Sequence, residues 1–185
     1  MSSIYKPTKA EVQAAYNQTL PDIIAPNLDI LFSGINPSLY SAAVGHHFAR
    51  PGNRFWKAIH LAGFTDRLLS PFEDQTLLDR GFGLTNLADR ATARADELNA
   101  EDLAIGHQNL MAKIQQYQPK YLSVLGISAY RTAFKQPKAQ MGLQKERLFD
   151  TLVWVLPNPS GLNAHYQLNN LAELYQILRL SATQT

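Results

Sequence analysis

Cysteine is absent from the 185 residues, and that single absence removes disulfides, thiolate metal sites, iron–sulfur clusters and thiol nucleophiles together. Long apolar runs are missing too. No stretch approaches the roughly 20 apolar residues of a membrane-spanning helix, and the opening Met-Ser-Ser-Ile-Tyr-Lys-Pro has no apolar signal core. The expectation is a cytoplasmic protein without a membrane partner. Neither sign of charge dominates: 17 Lys and Arg stand against 15 Asp and Glu, for a formal net charge of +2 and a pI near 8.8. Such a balance permits an anionic partner without requiring one. The five His residues show no H-x-x-x-H or comparable ligand spacing, so no metal is expected. Internal repeats and low-complexity segments are lacking as well.

What remains is an ordinary globular composition, 45% apolar and 17% charged, in a chain long enough to enclose one core. Leu28–Ser33 is an apolar run ending in Gly, entered from Pro26, and reads as a strand. An irregular segment follows from Asn36 to Gly52. Asn53 then caps a helix whose Phe55, Trp56, Ile59 and Ala62 share a face, and Gly63 ends it. A short helix at Pro71–Arg80 precedes a strand at Phe82–Leu87. Asn99 caps a long helix that reaches about Gln118 and carries Leu103, Leu110, Met111, Ile114 and Tyr117 at helical spacing. Tyr121–Leu125 is a strand, Ser128–Phe134 a short helix and Leu152–Leu156 a β-branched and aromatic strand. Leu171, Leu174, Tyr175 and Leu178 mark a last amphipathic helix. The densest basic stretch, through Arg131, Lys135, Lys138, Lys145 and Arg147, reads as a solvated helix and loop. Continuous apolar strands alternating with helices give the α/β class: a single three-layer αβα domain around a mostly parallel sheet.

Ligands in such sheets bind beyond the carboxyl ends of the strands. Two loops fall there. Gly34-Ile-Asn-Pro-Ser38 follows the first strand and Pro157-Asn-Pro-Ser-Gly-Leu162 follows the last, each holding an amide side chain between stiff or close-packing neighbours. Taken alone, an Asn beside Gly and Pro is a turn former.

The order and spacing of Gly-Ile-Asn-Pro, an aromatic at Phe48, then Pro51-Gly-Asn-Arg-Phe-Trp-Lys57 and Leu156-Pro-Asn-Pro-Ser-Gly-Leu162, with Phe82-Gly-Leu-Thr-Asn-Leu-Ala-Asp-Arg90 between them, resemble the mismatch-specific uracil-DNA glycosylase and thymine-DNA glycosylase family. The similarity spans about Ile23 to Leu180. It implies a catalytic domain over residues 23–185 behind an N-terminal arm of residues 1–22. It also implies a monomeric, cofactor-independent, monofunctional enzyme of base excision repair that flips a nucleotide out of double-stranded DNA and hydrolyses the bond to uracil, or to a related mismatched pyrimidine opposite guanine. By the same resemblance Asn36 positions the attacking water, the ring of Phe48 stacks on the extruded base, and backbone groups of Ile35 and Phe48 read its polar edge. Ser41 either lies near the pyrimidine C5 edge or serves as a local hydroxyl, and Asn86 either faces the pocket or caps its strand. Asn158, Ser160, Gly161 and Leu162 form the loop that enters the duplex, with Leu162 as wedge. Of His46 and His47, one faces DNA phosphate and the other is structural. The chain departs from the bacterial mismatch enzyme at Ala164, where that enzyme has Arg, and at Asn86, which matches the thymine-DNA glycosylase branch instead.

Two rival readings stand beside this one. Gly126-Ile-Ser-Ala-Tyr130 partly imitates a nucleophile elbow, and Asp150 and His165 follow Ser128 in hydrolase order. The other rival is a damage-binding module without turnover, because a fold alone never establishes activity.

Overall fold

In a computed structural model the described residues are 5–183, so the first four residues of the expected arm lie outside them. The elements run α1 (Lys9–Ala14), β1 (Ile30–Gly34), α2 (Leu39–Val44), α3 (Phe55–Leu61), a 3₁₀ turn at Pro71–Arg80, β2 (Phe82–Asn86), α4 (Ala100–Tyr117), β3 (Tyr121–Leu125), α5 (Ile127–Ala133), β4 (Gly142–Leu148), β5 (Thr151–Leu156) and α6 (Leu168–Thr183). The sheet order is β2-β1-β3-β5-β4, parallel except for the antiparallel edge strand β4.

Alternation along each strand explains why the apolar runs are continuous. Ile30 and Phe32 of β1 face a layer built from α3 and α6, against Phe55, Ile59, Leu171 and Tyr175. Leu31 faces the opposite layer with Leu122, Val124, Val153 and Val155, covered by Leu110 and Ile114 of α4 and by Tyr130 of α5. A strand buried on both faces needs no polar side. Phe32 is central: its ring meets Phe55 edge-on at 5.5 Å and Phe64 at 5.4 Å. Truncating it would cost about 3–5 kcal/mol.

Four local features escaped the sequence reading. The segment at Asn36 to Gly52 contains α2, six residues capped by the Ser38 hydroxyl and closed by Gly45 in the left-handed region; one buried residue is too weak a periodic signal. β4 has no apolar face, and its Lys145 and Arg147 belong to a sheet edge rather than to a helix or loop. Charged side chains there discourage pairing with another chain. Helix α3 starts one residue later than expected, at Phe55, although the Asn53 side chain does accept from the Phe55 N–H at 2.9 Å. Finally, residues 5–22 lie against the domain. The Thr8–Glu11 capping box starts α1, Ala15 and Leu20 are buried, and Asn17 and Gln18 exchange backbone hydrogen bonds with Ala91. The Asp22 carboxylate accepts from Thr85 at 2.6 Å and pairs with Lys113 at 2.7 Å.

Candidate active site

A cleft of about 480 Å³ opens where β1, β2, β3 and β5 end. Strand order reverses on either side of β1, so the crevice is a topological switch point. Gly126, after β3, separates the two Asn-Pro loops; a Cβ there would lie 3.0 Å from Ile35 and 4.0 Å from the Asn158 side chain, and its φ of +148° also favours glycine.

Asn36 is held by a segment 54 to 56 residues away. Its amide nitrogen donates to the Arg90 carbonyl at 3.0 Å and to the Thr92 hydroxyl at 2.7 Å. Thr92 passes its own hydrogen to the Arg94 carbonyl at 2.7 Å, so its oxygen can only accept from Asn36. Both neighbours being acceptors, the amide orientation is dictated, and both amide hydrogens are consumed. The group retains one capability, its Oδ1 as a hydrogen-bond acceptor on the cleft.

Phe48 stands in the left-handed region at φ +53°, where an aromatic residue is strained and persists only if its surroundings insist. They do. Its ring stacks on Phe55 with centroids 4.1 Å apart, leaving the remainder to line the cleft. His47 N–H donates to the Asp74 carboxylate at 3.1 Å and Ala49 N–H to the Ser41 hydroxyl at 3.0 Å. Between them the Phe48 N–H has no partner among the described residues. The His47 ring is buried, which favours its neutral form and lowers its pKa below the ordinary 6.5; Nε2 lies 2.8 Å from the Pro21 carbonyl. The neutral ring therefore donates there. His46 Nδ1 pairs with the other oxygen of Asp74 at 3.1 Å.

Ser41 is buried in α2 and lines the cleft, but its hydroxyl is engaged, accepting from Ala49 and from the Ser38 hydroxyl. Ile35 also lines the cleft, and its carbonyl is taken by the Ala88 N–H at 2.8 Å. Asn86 ends β2 beside Gly34, where any Cβ would come within 2.6 Å of the Asn86 Oδ1. Its amide, nearly buried, makes no hydrogen bond to another described residue and faces the cleft.

In the second loop Asn158 accepts from the Ser160 N–H at 2.9 Å and Ser160 accepts from the Leu162 N–H at 3.2 Å, two local turns in series. Leu162 is 69% exposed. Gly161 packs on the Gly52 carbonyl, which a Cβ would approach to 2.7 Å. The structure thus gathers Asn36, Ile35, Ser41, Phe48, Asn86, Asn158, Ser160 and Leu162 around one cleft, with Gly161 on its rim.

Two participants were missed in the sequence. Thr92 gave no signal because its partner is distant in the chain. Arg54 occupied the variable position of Pro-x-Asn-x-Phe-Trp-Lys, where a cation without an acidic neighbour, set before a buried Phe-Trp pair, was the available clue. The hydrolase rival fails on topology. Ser128 and His165 line the cleft, but Asp150 precedes the six-residue β5 and so sits at the far end of the sheet, roughly 20 Å away. No lysine lines the cleft, and among the described residues no group of three or more His, Asp or Glu is arranged to hold a metal.

Sheet order and loop placement define a three-layer α/β protein with its site at the switch point of a parallel sheet. A family model described as the uracil DNA glycosylase superfamily matches residues 21–179, and the chain belongs to that superfamily. Among solved structures it is similar to the solution NMR structure of a candidate uracil DNA glycosylase from Methanosarcina acetivorans, with a TM-score of 0.60 and 19% identity, over 89% of this chain and 97% of that one. At that identity the likeness shows the fold alone.

Proposed function

We propose that the chain is a monofunctional DNA glycosylase of the mismatch-specific uracil and thymine type, which hydrolyses the bond to uracil and related pyrimidines, chiefly opposite guanine, and leaves an abasic site. It acts as a monomer in the cytoplasm, on double-stranded DNA and without a cofactor, with residues 23–185 as the catalytic domain and residues 1–22 as an arm. The observation that carries this reading is the Asn36 amide, whose hydrogens are both spent on Arg90 and Thr92 and whose oxygen is left for water.

In the reaction the C1′–N1 bond breaks with its electron pair leaving on the base, and the sugar becomes oxocarbenium-like. Water, hydrogen-bonded to Asn36 Oδ1, presents a lone pair to C1′ and loses its proton to solvent after attack. An amide is too weak a base to activate water by deprotonation, so the gain is orientation. The Phe48 N–H, without a partner among the described residues, supplies a donor for the departing pyrimidine's anionic edge, and its ring the stacking surface. Slow chemistry of this kind favours bases that pair weakly or leave easily, which makes extrusion part of the selectivity. The absence of lysine from the cleft lining agrees with hydrolysis rather than strand cleavage through a Schiff base.

End-labelled duplexes bearing one G·U, A·U, G·T or G·C pair, incubated in EDTA and then treated with alkali, test this. Alkali-labile breaks should form fastest at G·U and vanish in Asn36→Ala while duplex binding persists. Unchanged turnover in Asn36→Ala refutes the assigned role, and activity lost in EDTA contradicts a metal-free mechanism.

A further inference from the structure

We propose that Arg54 is a positioning residue for strand opening: its guanidinium holds the Pro157–Tyr166 loop in the shape that presents Leu162 to the duplex. This rests on the glycosylase reading. The Arg54 side chain donates to four backbone carbonyls of that loop: Pro159 at 3.3 Å, Ser160 at 2.7 Å, Asn163 at 2.9 Å and Tyr166. Its backbone N–H donates to Pro159 as well, at 3.0 Å. Four of the five guanidinium N–H bonds are thereby spent on one loop, and no carboxylate among the described residues forms an ion pair with the cation.

Two further carbonyls of the loop are drawn inward. Pro157 accepts from the buried Tyr175 hydroxyl at 3.3 Å, and Asn158 accepts from the Asn163 side chain at 3.0 Å. The N–H groups of Gly161 and Ala164, both exposed, have no partner among the described residues. Six of the ten carbonyls in this loop are thus turned inward, while the Gly161 and Ala164 N–H groups stay free for an anionic duplex. Leu162 rides at its apex. Arg54 also stands between Asn53, whose side chain accepts from the Phe55 N–H, and Phe55 itself, on which Phe48 stacks. One residue thus locks the wedge to the platform that receives the base. Lysine has the charge but cannot reach four carbonyls from a single planar fork.

The test compares single-turnover excision of uracil opposite guanine in a fully paired duplex with excision of the same uracil inside a bubble of unpaired bases, where no wedge is needed. For Arg54→Lys the paired substrate should slow by about 30-fold, because several charge-assisted hydrogen bonds are lost, and the bubble by less than about 3-fold. Both rates come from one preparation, so their ratio cancels any loss of folded protein. Combining Arg54→Lys with Leu162→Ala should slow the paired substrate no further than the worse single change, since residues acting as a unit are not additive. Equal slowing on both substrates, or additive losses in the double variant, overturns the inference. Failure of the native protein to excise uracil from either substrate would instead refute the glycosylase reading.

Discussion

The two Asn-Pro loops have nearly the same wording and opposite hydrogen-bond economies. Asn36 spends its nitrogen on Arg90 and Thr92 and keeps its oxygen; Asn158 spends its oxygen on Ser160, two residues on, and shapes its own loop. The first amide is aimed by a partner some 55 positions away, the second by its neighbour. Identical dipeptides therefore do not share a role. What separates them is the range of the contact: a local acceptor makes a turn, whereas a distant pair of acceptors turns the amide into a directed tool.

The sharpest way to break this comparison is to remove each amide in turn. Asn36→Ala should lower single-turnover excision from G·U duplex by about 1,000-fold, the scale of losing an oriented reactant at the reacting centre. Asn36→Asp should fail to restore it near neutral pH. A carboxylate oxygen would face the Arg90 carbonyl and the Thr92 oxygen, both acceptors, so the better base is repelled from the working orientation. Recovery of activity in Asn36→Asp would show that the amide is not held as described.

Thr92 sharpens the comparison next, because it is the distant partner itself. Thr92→Val preserves shape but strands one Asn36 hydrogen and the Arg94 carbonyl. Excision should fall about 10-fold, with a stability loss of about 1–3 kcal/mol. Thr92→Ser, which keeps the hydroxyl, should return most of the rate. A rate loss in Thr92→Val that Thr92→Ser leaves uncorrected would point to packing rather than to amide orientation.

That Thr92 escaped notice and Asn36 did not marks the boundary of what one sequence discloses. Strands β1, β3 and β5 were legible because burial on both faces writes a continuous apolar run, and α4 because Asn99 and a 3.6-residue stripe agree. β4 was not, since GLQKERL contributes backbone pairing to β5 and little side-chain burial. Asn36, Phe48 and Leu162 could be singled out from a motif of fixed spacing. The groups that aim them, Thr92 and Arg54, act through backbone carbonyls and a hydroxyl across the fold, and such contacts leave no periodic trace. The His46–His47 pair shows the same limit: the side chain spared for packing is His47, held by Pro21 and by a carboxylate on a 3₁₀ turn.

Asn158→Ala has a smaller expected effect. Losing the Asx turn onto Ser160 costs about 1 kcal/mol locally, and Arg54 still grips the loop at four carbonyls. Excision from paired G·U should drop about 5-fold, measured beside the much larger loss in Asn36→Ala. A loss in Asn158→Ala matching that of Asn36→Ala would mean both amides act at the reacting centre, and the contrast between the loops would collapse.

Acid should separate the two loops by the least of these effects. On the first loop's side of the cleft, the segment that carries Phe48 leans on His47, whose burial lowers its pKa below the ordinary 6.5, so the folded state resists a proton that the unfolded chain accepts. Where the unfolded state binds more protons, stability rises with pH. The contribution of His47 is therefore complete above about pH 6.5 and is lost as pH falls below it, by at most about 1.4 kcal/mol per pH unit. The second loop rests on a guanidinium and neutral amides, which do not titrate there. In urea unfolding at pH 7.5 and pH 5.5, His47→Gln, able to keep a donor on the Pro21 carbonyl, should lose less stability between the two values than the native chain. Identical losses in both proteins would show that burial does not disfavour the charged His47 ring, and that the Phe48 segment is no more sensitive to acid than the second loop.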